Sequence, residues 1–151
     1  MFDMNISVTG KLNAKTKIHG GIAGGDTIIR YLDTPEQTDA YGIWSYVEYK
    51  ISDQASTGIG TQYEDAKDYY DGFLINSWYT HSFTSKLSLR TKIQYSDFSH
   101  SWFIEPLLTY QPTAFSALYF GINELLSTED SMFSNLTESE RQLFVKFQYL
   151  F

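Results

Sequence analysis

His19, His81 and His100 are the side chains best suited to acid–base or metal chemistry near neutral pH in a sequence that contains no cysteine. None of them stands at His-x-x-x-His spacing, so no two share a helical face as zinc ligands do. Two adjoin serine, in His81-Ser82 and Ser99-His100-Ser101. A nucleophilic serine needs its histidine within hydrogen-bond reach and a third group to orient it. Adjacent residues of an extended strand point to opposite faces, which separates both pairs. A barrel hydrolase is therefore the least supported reading, and no catalytic residue, metal or cofactor is expected.

The acidic run Glu64-Asp65-Ala66-Lys67-Asp68-Tyr69-Tyr70-Asp71 offers carboxylate oxygens for Ca²⁺ but lacks the glycine and terminal glutamate of a calcium loop. A solvated loop is the simpler reading. Tyr69 and Tyr70 suit either sugar stacking or an aromatic girdle at a membrane interface, and the girdle is the expectation. Gly20, Gly21, Gly24 and Gly25 make no phosphate-cradling motif. A net charge of -7 argues against nucleic acid, because phosphate binding needs a surplus of Lys and Arg. The two signs are sorted, with acids gathered in expected loops and many bases inside strand-like runs.

Those runs are the elements that would position such residues. From Lys86 to Ser96, Leu87, Leu89, Thr91, Ile93 and Tyr95 alternate with Ser88, Arg90, Lys92 and Gln94, one apolar face against one polar face. Similar alternation runs over Tyr41–Ser52 and Ser56–Tyr63. Met4–Gly10, Ala14–Gly24, Gly72–Phe83, Ser101–Tyr110, Ala114–Asn123 and Gln142–Phe151 are further candidates, about nine strands in all. Gly25–Leu32 reads either as an extension of its neighbour or as a separate strand, and Asn135–Arg141 as one helical turn.

Many of these runs approach the roughly 9 to 11 residues that cross a bilayer at a tilt, whereas globular strands average five or six. Connections alternate between short ones and longer ones at Gly25–Ala40 and Glu124–Arg141, as in outer-membrane barrels. Aromatic residues make up 17% of the chain, which suits girdles at two interfaces. The mean hydropathy of -0.29 is no objection, since barrel strands show only alternate side chains to lipid. The expected fold is all-β: an antiparallel up-and-down meander of about 8 to 10 long strands forming one transmembrane β-barrel region over residues 1–151. Glu48, Lys50, Arg90, Lys92, Lys146 and Gln148, with Lys15, Lys17 and Glu105, would then face the lumen.

The final segment places Leu143, Val145, Phe147, Tyr149 and Phe151 on one face and ends in an aromatic residue. It resembles the C-terminal signal that barrel-assembly machinery recognises in outer-membrane proteins. Two stretches, Ile93–Asn123 (IQYSDFSHSWFIEPLLTYQPTAFSALYFGIN) and Arg141–Phe151 (RQLFVKFQYLF), resemble the barrel end of an uncharacterised Bacteroidota outer-membrane family. Full-length members of that family carry an N-terminal carbohydrate-binding-like module. The resemblance implies a surface barrel connected with glycans and transfers no functional residue. Met1-Phe2-Asp3-Met4 has no basic segment followed by an apolar core, so this chain is expected to be the C-terminal fragment of a larger barrel.

The expected role is a non-enzymatic membrane anchor or channel wall in the outer membrane of a Gram-negative bacterium. Lipid, the assembly machinery and upstream parts of the same barrel would be its partners, with carbohydrate a weaker one. A soluble β-barrel or β-sandwich ligand carrier, which alternates equally well, is the competing class. The direction of the apolar face separates the two.

Overall fold

The computed structural model describes residues 3–30, 34–129 and 132–149. Nine strands follow one another: β1 (Asp3–Lys11), β2 (Thr16–Ile29), β3 (Glu36–Lys50), β4 (Ala55–Ala66), β5 (Tyr70–Ser82), β6 (Leu87–Ser96), β7 (Ser101–Thr113), β8 (Ser116–Ser127) and β9 (Thr137–Tyr149). All join in one antiparallel sheet in the order of the chain, with β1 and β9 at its two edges. The all-β meander expected from alternation is what the chain forms.

The strands run further than the alternating patterns alone indicate. Thr27, Ile28 and Ile29 continue β2, resolving the ambiguous segment, and pair with Thr38, Gln37 and Glu36. The connections at 25–40 and 124–141 shorten to 30–35 and 128–136 as a result. No helical turn forms over Asn135–Arg141: Asn135 takes a left-handed φ of 46°, and from Thr137 onward the chain is β9. Ladder bonds to β8 override the weak local helical preference there.

The two ends of the sheet use different turn chemistry. At one, the turn end, side-chain oxygens fold the chain back: Asn13 Oδ1 accepts from the amides of Lys15 (2.8 Å) and Thr16 (2.9 Å). Thr84 Oγ1 does the same for Lys86 (3.1 Å) and Leu87 (3.0 Å). Ser52 and Thr113 each bind the amide two residues on. At the other, the loop end, Asp68, His100 and Asn135 supply positive φ, a conformation that polar side chains tolerate best.

Candidate functional site

Register divides the sheet into two faces. On one lie Ile6, Ile22, Ile43, Ile59, Ile75, Ile93, Ile104, Phe120 and Val145, which the pairing register places on the same side of every strand. This apolar face is open: Val8 is 69% exposed, Ile59 52% and Val145 68%. Tyr95 is the one large side chain that is fully buried among the described residues. A soluble sheet of this size covers its apolar face with a second layer; here no described element packs over it.

The apolar face has defined upper and lower borders. Toward the loop end stand Tyr41, Tyr63, Phe73, Tyr95 and Trp102, in ring contacts of 6.1 Å (Tyr41–Tyr63), 5.7 Å (Phe73–Tyr95) and 5.1 Å (Tyr95–Trp102). Beyond them the same face turns acidic at Asp26, Asp39, Asp65 and Asp71, and on β8 and β9, level with Ile104 in the register, Arg141 bridges Glu124 (2.5 Å) and Glu138 (3.0 Å). Toward the turn end stand Tyr49, Tyr79, Tyr110 and Tyr149, then exposed Leu12, Ile51, Phe83 and Phe115 in the hairpins themselves. Tyr41 to Ile51 is ten residue steps, as is Phe73 to Phe83. That makes about 34 Å along a strand, or about 26 Å along the normal at the tilt typical of barrel strands.

The opposite face is polar and crowded. Seven of the ten glycines lie on it: Gly21, Gly25, Gly42, Gly58, Gly60, Gly72 and Gly121. The rings of Trp44, Trp78 and Phe144 occupy the space that a Cβ would take at Gly21, Gly58 and Gly121. Each aromatic ring thus covers the bare backbone of the neighbouring strand. His19, Tyr46 and Trp78 form a row across this face, with ring centroids 5.0 Å and 6.1 Å apart.

All six residues expected to face a lumen lie here. Glu48 meets Lys17 (3.4 Å), Lys50 meets Asp53 (2.6 Å) and Arg90 meets Glu105 (3.8 Å). Lys146 stands 5.8 Å from the Tyr119 ring centre, Gln148 pairs across from Ala117, and Lys92 lies between Trp78 and Glu105 in the register. Lys15 sits in the first hairpin, beside a recess of about 350 Å³ that Lys11, Lys17 and Lys50 also line. At the exposed turn residue Asp53, a hydrogen bond from Lys50 and its charge hold the carboxyl below its ordinary value.

The histidines have other duties. His19 Nδ1 is 2.5 Å from Thr9 Oγ1 on the polar face. His81 lies on the apolar face between Tyr79 and Phe83, while Ser82 points the other way. His100 has a φ of 46°, and its carbonyl accepts from the Thr128 amide (2.7 Å) and hydroxyl (3.0 Å), which makes it a turn residue. Among the described residues no group of three or more His, Asp or Glu is placed to hold a metal ion.

One expectation is not met. Tyr69 and Tyr70 form no girdle: Tyr69 is in a turn and donates to Glu36 (2.5 Å), and Tyr70 lies on the polar side and donates to Glu64 (2.7 Å). Loop-end carboxylates capture both hydroxyls, and the girdle is built from strand tyrosines instead. Of the terminal signal, Leu143, Val145, Phe147 and Tyr149 share the apolar face, and Phe151 lies outside the described residues.

The geometry defines a class: a nine-stranded antiparallel meander with an uncovered apolar face, bordered above and below, and a charged, glycine-rich reverse. No protein-family model and no curated protein sequence matches the chain. Among solved structures, a KdgM porin in complex with disordered oligogalacturonate is similar at 9% sequence identity and a TM-score of 0.47, over 99% of this chain and 92% of that one.

Proposed function

We propose that the chain is part of the wall of a Gram-negative outer-membrane β-barrel, with its apolar face toward lipid and its polar face lining a watery interior. The observation that carries this reading is that, among the described residues, no second sheet or helix covers the apolar face, which loop residues meet at its border, at Trp102. Ile6, Ile43, Val145 and Phe147 are each more than half exposed, a state that water penalises and hydrocarbon does not. The band of about 26 Å agrees with the roughly 25 Å apolar belt of such barrels. Side chains converge on the inner side of a curved sheet and spread on the outer. The crowding over Gly58 and Gly121 therefore favours the polar face as the inside.

In this role the chain is an anchor and channel wall. Leu143, Val145, Phe147 and Tyr149 are what the assembly machinery would read on β9. The edges β1 and β9 need strand partners, because unpaired amides and carbonyls are not tolerated in hydrocarbon. We assign those partners to other strands of the same barrel. A connection with glycans rests on the family resemblance alone, through a module outside this chain.

Membrane fractionation and refolding test the reading. The protein should sediment with outer membranes, require detergent for extraction and fold only when detergent or lipid is added. Recovery as a monodisperse monomer without either would overturn it in favour of a soluble carrier.

A further inference from the structure

Charge is sorted along the strands. On the polar face, Lys11, Lys17, Lys50, Arg90, Lys92 and Lys146 occupy the middle and the turn end, and Lys15 and Lys86 stand in adjoining hairpins. Among the described residues, these eight cations share that zone with three carboxylates, Glu48, Asp53 and Glu105. Acids on this face otherwise cluster at the loop end, where Glu36 and Glu64 accept tyrosine hydroxyls. A chain of net charge -7 thus carries a positive belt.

Fold stability does not account for the belt. Lys11 pairs directly across from Lys17, and like charges opposite one another weaken a strand pair. Lys92 faces Glu105 in the register, yet the ion pair of Glu105 is with Arg90 at 3.8 Å. At the loop end, described residues of the longest connection reach the outer side. There the Trp102 indole donates to the Met132 carbonyl (2.6 Å) and the Phe133 ring lies 5.5 Å from it.

We infer that this belt makes the lumen a path for anionic solutes, carboxylates and phosphates, in preference to cations. The inference rests on the channel reading above. A wall of one sign beside a low-dielectric shell raises the local concentration of counter-ions and excludes co-ions. Glu48 and Glu105 temper the field without reversing it.

The test is the reversal potential of the full-length protein in planar bilayers under a potassium chloride gradient. Chloride should be preferred over potassium by roughly several-fold, and more at low salt, where screening is weaker. Replacing Lys17, Lys92 and Lys146 together by Gln should move the ratio toward unity, and replacing them by Glu should invert it. Inorganic pyrophosphate should also slow amine labelling of Lys92 in the wild type more than chloride of equal ionic strength does. Conductance that prefers potassium, or a ratio unmoved by the triple substitutions, overturns the anion path alone. Protein shown by protease protection to be folded in the bilayer but carrying no current overturns the channel reading as well.

Discussion

Ile59 is the position at which an inserted charge distinguishes hydrocarbon from water most sharply. It sits on the open side of β4, 52% exposed, paired with Val47 and Ser77, and four residue steps from the Tyr63 ring. Four steps are about 14 Å along the strand and about 10 Å along the normal, close to the centre of the apolar band. Arginine at a bilayer midplane costs roughly 2–4 kcal/mol in transmembrane barrels and about 0–1 kcal/mol near the interface. Ile59→Arg should therefore lower the folding constant roughly 30- to 700-fold. Ile51→Arg, the same exchange in a turn-end hairpin, should lower it less than about sixfold. Gln94→Arg on the reverse of β6 should change it little if that side faces the proposed watery interior. Urea titration of the full-length protein in phosphatidylcholine vesicles reads all three. Equal costs at Ile59 and Ile51, or a cost at Ile59 that does not respond to acyl-chain length, would refute the assignment of this face to lipid.

Other outcomes follow from particular contacts. Gly58→Ala places a methyl group where the Trp78 ring lies and should cost about 1–3 kcal/mol in the same titration. In a Trp78→Ala background that penalty should largely vanish. Because the native chain has no cysteine, single cysteines introduced from 89 to 94 report accessibility directly. Aqueous thiol reagents should modify positions 90, 92 and 94 and spare 89, 91 and 93 in vesicles; a flat profile would contradict the two-faced strand. His100→Gly should be neutral or stabilising by up to about 1 kcal/mol, as expected where φ is 46°. Any ester hydrolysis by the protein should survive both His100→Gly and His81→Ala, and its loss would reopen the hydrolase reading.

The two faces of β6 are legible in the amino-acid sequence alone, because period 2 is a local property of the chain. For the same reason Arg90 and Lys92 can be placed opposite Ile93 without knowing their neighbours. Strand ends are less legible: β2 and β3 extend into Gly25–Ala40 from either side, where Asp26, Thr27 and Asp39 resemble loop residues until they are seen to pair with one another or with Thr38. The girdle is hidden for a different reason. Tyr41, Tyr63, Phe73, Tyr95 and Trp102 come from five strands, and only the register brings them to one level. The seating of Trp78 over Gly58 and of Phe144 over Gly121 is likewise a relation between strands, with no signature in either strand alone. The left-handed turn residues do carry a local signal, since Asp, His and Asn at 68, 100 and 135 are residue types that tolerate positive φ.

An odd number of strands has a topological consequence. β1 enters the first hairpin at the turn end, and β9 arrives at that end from the 128–136 connection, so the two border strands run in the same direction. A seam joining them directly would be parallel, with slanted bonds and slightly weaker pairing per residue. Interposing an odd count of additional strands would keep every junction antiparallel, whereas an even count would restore the mismatch. Parity thus constrains how the proposed barrel would be completed, independently of which side chains do it.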